Sequence, residues 1–309
     1  MAVTGVLTGF AVIGFVIVVG YVVARFGVVG ENARPVYSRT ALMVTNPALL
    51  FTILSGSDVT EIFTGSVAVA ATSALVVAAL FVGLSVVLFR RDAATMTIGA
   101  MSSGYVNANN IGIPVAVYVV GDSALVAPVI LLQLVVLTPL VLVILDAASG
   151  REGSWLRILI RTVTNPVTLA SLLGVLVAAS GMTVPDAVLA PLTLLGGAAV
   201  PLVLMAFGMS LHGMRPLQPG PERVDVIVSA TLKSLVMPVV AWGLARFAFH
   251  LDDEAVFGAV VMAALPTAQN VFLYASRYDR GVMLSRDTIL VTSAASVPVL
   301  VAVSVLLHP

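Results

Sequence analysis

The chain has 309 residues, of which 60% are hydrophobic and only 10% are charged, and its mean hydropathy is +1.11. Ordinary soluble domains carry about 25% charged residues, so a soluble fold is excluded and an integral membrane protein is predicted. The formal net charge is zero, which gives no reason to expect a nucleic-acid partner. The chain has no cysteine and only three scattered histidines, so we expect neither disulfides nor a metal site.

Ten apolar segments are long enough to cross a membrane as helices, because a helix needs about 20 residues to span the hydrocarbon core. The connections between them are short, and none is large enough for a soluble domain. We therefore expect an all-α integral membrane protein with ten transmembrane helices. In chain order, segments 1 to 10 are residues 4–24, 35–54, 64–89, 93–119, 124–145, 157–180, 187–211, 225–249, 254–276 and 283–307.

The basic residues predict how the segments are oriented. Thirteen of the 15 lie in the connections that follow the odd-numbered segments, whereas the connections on the opposite side hold only Arg246. Lysine and arginine are retained on the cytoplasmic side of a membrane. We therefore expect both termini on the extracytoplasmic side of the cell (inner) membrane.

Pairs of prolines indicate an internal repeat. Pro47 in segment 2 and Pro201 in segment 7 are 154 residues apart, and Pro114 in segment 4 and Pro266 in segment 9 are 152 apart. This offset places segments 1–5 onto segments 6–10. Five is an odd number, so the second repeat must enter the membrane from the other side, as inverted repeats do. The two predicted five-helix repeats are residues 1–146 and 147–309.

Segments 4 and 9 are each interrupted near their middle by polar residues and a proline. A proline can begin a second half-helix, whose N-terminus offers unpaired N–H groups and the positive end of the helix dipole. Two such ends meeting near the midplane would form a site for a carboxylate, while amide side chains orient the substrate or coordinate a cation. The candidate substrate-binding residues are Asn107, Asn109, Asn110, Gly112, Pro114, Pro266, Gln269 and Asn270.

The position of each break follows from the same interpretation. If Pro114 begins the second half of segment 4, the stretch 107–112 precedes the first break. Gln269 and Asn270 are expected to follow the second break. The alternative is that the prolines are ordinary kinks and that the amides only hold helices together. Two breaks at repeat-equivalent positions favour the binding site.

Lys233 is the only lysine of the chain and lies within segment 8. An intramembrane cation is a candidate functional group, either as a partner of a substrate carboxylate or in the place of a coupling cation. The alternative is that its side chain extends to the cytoplasmic interface, about two turns away. In contrast, all fifteen acidic residues are expected in loops or at helix ends. The lack of an aspartate at mid-membrane argues against cation antiport and favours an anionic or neutral organic solute.

Other polar and small residues are expected to serve packing. Asn46, Gln133 and Asn165 are interpreted as groups that hold helices together, and the glycines of segment 7 as points of close helix contact. The sequence contains no nucleophile–base arrangement, phosphate-binding loop or metal motif. We therefore expect neither an enzyme nor a bound cofactor.

Several short motifs resemble the auxin efflux carrier family. Asn110-Ile111-Gly112-Ile113-Pro114 resembles the end of that family's Asn-x-Gly-x-x-Gly-x-Pro signature, although Asn107-Ala108-Asn109 replaces its Asn-x-Gly. Residues 264–270, followed by Tyr278, are similar to the second crossover segment of the family. The resemblance runs over essentially the whole chain. Further matches are Phe207-Gly208-Met209-Ser210-Leu211, Leu232-Lys233 ahead of Pro238, and Asn165-Pro166 at the start of segment 6.

The resemblance implies a particular architecture and mode of action. Segments 4 and 9 would cross at their proline breaks. Segments 1, 2, 6 and 7 would form a scaffold, and segments 3–5 and 8–10 a transport bundle that moves in an elevator-like alternating-access cycle. Family substrates are organic anions, namely the auxin indole-3-acetate in plants and malate, malonate and similar acids in bacteria. Members often form homodimers, and the short connection between segments 5 and 6 implies a bacterial type without a regulatory insert.

The sequence therefore predicts a secondary transporter of small organic anions such as carboxylates. Coupling to a proton or sodium gradient is expected, with the solute and the lipid bilayer as partners. Two alternatives stay open. The first is a sodium-coupled symporter of the bile-acid type, in which the amides would bind sodium. The second is a membrane sensor that binds a solute without moving it.

Overall fold

The computed structural model describes residues 2–30, 32–56, 65–148, 160, 164–213, 220 and 222–307. The regular structure of these residues is helical apart from one isolated β-bridge, which confirms the predicted all-helical fold. The predicted boundary between the two repeats, after residue 146, lies in the last turn of a described helix, whereas the start of segment 6 lies outside the described residues. So do four of the basic residues used to predict the orientation, namely Arg151, Arg157, Arg161 and Arg215.

The helices follow the predicted segments and carry the same numbers. The first half contains α1 (Ala2–Arg25), α2 (33–55), α3 (65–89), α4a (Ala93–Gly104), α4b (Ala108–Val120) and α5 (Val126–Ala148). The second half contains α6 (Pro166–Ser180), α7a (Asp186–Gly197), α7b (Ala199–Leu211), α8 (Arg223–Ala248), α9a (Asp253–Ala264), α9b (Asn270–Tyr278) and α10 (Val282–Leu307).

The lengths of the helices support a protein that crosses the membrane several times. Within the described residues, α3, α5, the run formed by α7a and α7b, α8 and α10 are long and apolar enough to span a bilayer. The apolar helices α4b and α6 are shorter. The number of ten spans and the inverted repeat stay predictions, because length and composition identify five full spans in the part of the chain that the structure describes.

Side chains at several helix starts explain where those helices begin. Asp92 accepts hydrogen bonds from Ala94 N and Thr95 N, each 3.1 Å long, at the start of α4a. Asp252 accepts one from Ala255 N at the start of α9a. Asn165 accepts one from Val167 N at the start of α6. These caps satisfy N–H groups that have no partner within their own helix.

Helices α1, α2, α6 and α7 pack on one another through glycines. α1 runs along α7b, and at Gly208 a Cβ atom would overlap the backbone carbonyl of Ile17. α6 and α7a pack on the second half of α2, where Gly174 faces Leu54 and Gly196 faces Leu49. Small residues allow helix backbones in a membrane to approach closely. The structure thus confirms the packing role expected for the glycines of segment 7, except that Gly197 faces open space.

The substitution Gly208→Ala is expected to separate α1 from α7b. The added Cβ atom meets backbone rather than a flexible side chain, so the helices must shift, at a cost of about 1–3 kcal/mol. Gly197→Ala, at the end of the preceding helix α7a, is the matched control, because nothing lies within 4 Å of its Cβ position. Thermal unfolding in detergent measures both variants. Equal melting temperatures for the two would contradict the close contact at Gly208.

Helices α3, α4a, α8, α9a and α10 form a second packed group, which is tied together by charged residues. Arg91 precedes α4a and binds Asp225 in the first turn of α8 through two hydrogen bonds, Nε to Oδ1 at 3.1 Å and a terminal nitrogen to Oδ2 at 2.8 Å. The hydrogen bond to Asp225 raises the pKa of Arg91 above its ordinary value. Glu222 Oε2 accepts from Leu284 N at the start of α10, at 2.8 Å. The contacts therefore join three helix starts at one end of this group.

The acidic residues near these starts differ in one respect from the sequence prediction. Asp225 lies at a helix start, as expected, yet it is only 1% exposed. Asp287 lies in the second turn of α10 rather than at its end, and it is also 1% exposed. Its Oδ1 accepts a hydrogen bond from Arg286 Nε at 2.7 Å. Arginines beside both carboxylates make their burial tolerable, because an unpaired buried charge would be costly.

Candidate functional site

The interruptions of α4 and α9 meet as two short antiparallel stretches. Val106 and Thr267 form an isolated β-bridge. Asn107 N donates to Pro266 O at 2.8 Å, and Ala268 N donates to Tyr105 O at 3.0 Å. These bonds satisfy backbone groups that two broken helices would otherwise leave unpaired in a membrane interior. The predicted crossing of the two broken helices is therefore confirmed, and we call residues 105–107 and 265–269 the crossing.

The first break lies earlier than predicted. The chain leaves helical geometry at Tyr105 and re-enters it at Ala108, so Pro114 lies inside α4b and does not begin it. Asn107 explains this position, because its Oδ1 accepts a hydrogen bond from Asn110 N at 3.3 Å and so starts α4b. The prediction that residues 107–112 precede the break was wrong. Four of the predicted site residues therefore lie within α4b, namely Asn109, Asn110, Gly112 and Pro114.

The second break agrees with the prediction. Pro266 lies within it, and Gln269 and Asn270 follow at the start of α9b. Thr267, which the sequence analysis did not single out, fixes this break in place. Its N–H donates to Thr292 Oγ1 of α10 at 3.1 Å, and its hydroxyl donates to Ser102 O of α4a at 2.6 Å.

Amide side chains from two other helices reach the crossing. Asn46 of α2 is fully buried, and its Nδ2 donates to Asn109 Oδ1 at 3.1 Å. Gln133 of α5 donates from Nε2 to Val106 O at 3.0 Å. Both residues therefore hold helices together, as expected, but they do so at the crossing itself. In the described part of the chain, Asn46 Oδ1 and Asn107 Nδ2 have no hydrogen-bond partner. Buried polar atoms without partners are rare in native proteins and are costly unless a ligand or water binds them.

A cavity of about 270 Å³ lies beside the crossing. Its walls come from α2 and the start of α6 on one side, and from α5, α4b and α9b on the other. Of the predicted site residues, Asn109 and Asn270 line this cavity, whereas the other six form or flank the crossing without lining it. The polar or charged residues along its wall include Asn109, Gln133, Asn165, Asn270, Tyr274 and Arg277.

Arg277 is a cavity residue that the sequence analysis missed. It was counted with the connection after segment 9, but it lies in the last turn of α9b and lines the cavity. Asn270, Leu273, Tyr274 and Arg277 all line the cavity, and their spacing places them on one face of a helix. The signal was therefore present in the sequence. The spacing of these four residues can be recognised as one helix face only when the helix is known to begin at Asn270.

Lys233 is fully buried within the second packed group. Its Nζ donates to Ala263 O at 2.7 Å and to Met237 Sδ at 3.2 Å. The side chain therefore does not extend to an interface. Lys233 is also absent from the lining of the 270 Å³ cavity, so in this conformation it does not face the space where a solute would lie.

Comparisons with known proteins agree with this architecture. The family described as "Membrane transport protein" matches residues 6–304. The chain is similar to a "Putative malonate transporter" of Rhizobium meliloti (strain 1021), with 28% identity over 289 residues that cover 91% of this chain and 89% of the relative. It is also similar to an "Uncharacterized transporter" of Methanothermobacter thermautotrophicus, with 27% identity over 287 residues and 91% of each chain covered.

A third relative is "Uncharacterized transporter YfdV" of Escherichia coli (strain K12), with 24% identity over 273 residues and 85% of each chain covered. The family match extends over nearly the whole sequence, including both broken helices and the residues that line the cavity beside the crossing. It confirms the resemblance to auxin efflux carriers. The chain therefore belongs to the membrane transport protein family and is a multi-pass transporter of that family.

Proposed function

We propose that this protein is a secondary transporter of small organic anions and that a carboxylate binds in the cavity beside the crossing. The observation that carries the proposal is the composition of the cavity wall. It receives an amide from each broken helix, Asn109 and Asn270, together with the guanidinium of Arg277. Among the described residues, no aspartate or glutamate lines the cavity. The wall is therefore suited to a negatively charged solute.

The chemistry of these groups matches a carboxylate. A guanidinium offers a planar pair of donors that binds both oxygens of a carboxylate at once. Asn109 and Asn270 lie in the first turns of α4b and α9b, where the positive end of the helix dipole also favours an anion. A cavity of about 270 Å³ is small compared with drug-binding pockets of about 300–1,000 Å³. It therefore fits a short organic acid.

The position of the cavity supports an alternating-access cycle of the elevator type. One wall belongs to α2 and α6, and the facing wall belongs to the crossing and to helices packed around it. Movement of the second wall along the first would carry the cavity from one side of the membrane to the other. The hydrogen bond between Asn46 and Asn109 joins the two walls and would break in each cycle. In the predicted orientation, Asn165 and Arg277 lie toward the cytoplasm, so this conformation would face inward, with both termini outside the inner membrane.

Uptake of labelled malonate and other short mono- and dicarboxylates into proteoliposomes tests the proposal. Malonate is the first choice because of the name given to the Rhizobium relative. We expect accumulation of at least one acid, and no competition by the uncharged diamide malonamide. Uptake that is blocked by malonamide as strongly as by malonate would contradict an anion site.

Alanine substitutions at the two cavity amides test the location of the site. Asn109→Ala and Asn270→Ala each remove hydrogen bonds to a charged group, worth about 1.5–3 kcal/mol, so uptake should fall at least tenfold. Asn32→Ala is the matched control, because Asn32 is exposed just before α2 and its side chain makes no capping bond. Unchanged uptake by both cavity variants would place the site elsewhere.

A further inference from the structure

A second cavity of about 270 Å³ is an apolar groove between α8, α9a and α10, and it shares no lining residue with the cavity beside the crossing. Every side chain that lines the groove is apolar. Val260 and Val303 are buried and form its floor, whereas Val239, Trp242 and Leu306 are exposed along its rim. The exposed rim shows that the described part of the chain leaves this groove open.

The groove lies at the depth of the lipid hydrocarbon. Both α8 and α10 are long and apolar enough to span a bilayer, and the groove lies near the ends of both helices. Trp242 lies six residues before the end of α8, about 9 Å from it at 1.5 Å per residue. Tryptophan is enriched near the membrane surface. An empty groove at this depth would lose dispersion contacts, so we expect an acyl chain of a lipid to fill it.

A single guanidinium lies at the surface end of the groove. Arg246 is four residues after Trp242 on α8, so the two side chains share one face of the helix. The Arg246 side chain is 49% exposed, and its Nη1 donates to Asp253 Oδ1 at 2.6 Å. This bond uses one of the five N–H donors of a guanidinium. The exposed guanidinium can therefore also bind the phosphate of a lipid headgroup.

The charges around Arg246 favour a headgroup that also carries an ammonium. Asp252, Asp253 and Glu254 are exposed at the start of α9a, and Arg246 is the only arginine or lysine that the sequence places on this side of the membrane. Three carboxylates beside one guanidinium would repel an anionic headgroup. A primary ammonium offers three N–H donors to carboxylates, whereas the trimethylammonium of phosphatidylcholine offers none.

We propose that this groove is a binding site for phosphatidylethanolamine. Part of one acyl chain lies in the groove, the phosphate binds Arg246, and the ammonium binds the carboxylates at the start of α9a. Such a lipid touches three helices of the second packed group at once and therefore stabilises their packing. The inference goes beyond the proposed function and is independent of the solute that the protein carries.

Thermal unfolding of the delipidated protein in detergent tests the headgroup. We expect added phosphatidylethanolamine to raise the melting temperature more than phosphatidylcholine or phosphatidylglycerol does. Arg246→Gln should lose most of this increase, while Arg280→Gln, which removes another exposed arginine near an aspartate, should keep it. The double variant Asp253→Asn/Glu254→Gln should respond to phosphatidylglycerol as strongly as to phosphatidylethanolamine. Equal increases with all three lipids in the wild type, or equal losses in the two arginine variants, would overturn the inference.

Fluorescence quenching by brominated lipids tests the groove itself. The chain has two tryptophans, so Trp155→Phe leaves Trp242 as the only reporter. The protein is reconstituted in equimolar phosphatidylethanolamine and phosphatidylcholine, with bromine on the acyl chains of one lipid or the other. We expect Trp242 to report a preference of about two- to fivefold for phosphatidylethanolamine, because exposed ion pairs are individually weak. Arg246→Gln should lower this preference.

A reporter on another helix provides the matched control. Leu173 is 53% exposed and lies seven residues before the end of α6, at a depth similar to that of Trp242. With both native tryptophans replaced by phenylalanine, Leu173→Trp should be quenched equally by the two brominated lipids. Equal quenching of Trp242 by both lipids would overturn the inference. So would a Trp242 that neither lipid quenches, since that result would mean that a helix of a second copy fills the groove.

Discussion

Replacing Arg277 by glutamine is expected to lower carboxylate uptake by about 10- to 100-fold, because a hydrogen bond to a charged group is worth about 1.5–3 kcal/mol. Arg277 lines the cavity from the last turn of α9b, seven residues after Asn270. Glutamine keeps a donor at this position but removes the charge and the paired donor geometry. The effect should appear mainly as a higher KM for the acid, since the guanidinium contributes to binding. Initial rates measured over a range of acid concentrations report it.

Arg280→Gln provides the matched control for Arg277→Gln. Arg280 lies three residues further along the chain, is exposed, and does not line the cavity. Its Nε is 3.8 Å from Asp92 Oδ1, and an exposed ion pair of this kind contributes only about 0–1 kcal/mol. The control variant should transport at nearly the wild-type rate. Equal losses in the two variants would mean that Arg277 acts only through the general charge of this end of the protein.

Replacing Asp225 by alanine is expected to destabilise the protein by about 3–5 kcal/mol, because it breaks a buried ion pair and leaves its arginine without that partner. Asp225 is 1% exposed and forms two hydrogen bonds with Arg91, whose side chain is 27% exposed. The partial exposure of Arg91 lets water replace some of the lost contact, so we expect a value near the lower limit. Thermal or denaturant unfolding in detergent measures the loss.

Asp253→Ala is the matched control for Asp225→Ala. Asp253 also pairs with an arginine, Arg246, but the two side chains are 72% and 49% exposed. Such a surface pair contributes about 0–1 kcal/mol. A loss of stability in Asp253→Ala as large as that in Asp225→Ala would contradict the view that burial gives the Arg91–Asp225 pair its importance.

The sequence was sufficient to predict the helical fold and the meeting of two broken helices. That prediction rested on the long apolar segments and on the two interruptions. Each interruption contains amide side chains, within residues 107–110 and 269–270, and a proline. The exact start of α4b was not predictable from proline alone. The capping bond from Asn107 decides it, and Pro114 lies in the second turn of α4b, where it removes one helical hydrogen bond.

The wall of the cavity was less predictable, because it depends on contacts between distant parts of the chain. Asn46 and Asn109 are 63 residues apart and meet only when α2 packs against α4b. Gln133 was expected to pack, but no sequence pattern shows that its partner is the carbonyl of Val106 at the break. Arg277 was assigned to a connection because it is the penultimate residue of the short helix α9b, just beyond the predicted end of segment 9.

Lys233 shows how the same residue gains meaning from the structure. The sequence left two roles open, a functional cation and a side chain that extends to the interface. Its bond to Ala263 O depends on the exact end of α9a and on the diversion of Thr267 N to Thr292. The residues of segment 8 around Lys233 show neither of these two features.

Thermal stability of the purified protein in the presence of short organic acids tests the central claim, a carboxylate site beside the crossing, most directly. A ligand at 100 times its Kd stabilises the folded protein by about 2.7 kcal/mol. We predict that malonate or a related acid raises the melting temperature of the wild type and of Arg280→Gln, but not of Arg277→Gln or Asn270→Ala, and that malonamide has no effect. The same increase in all four proteins, or no increase with any acid, would contradict the claim.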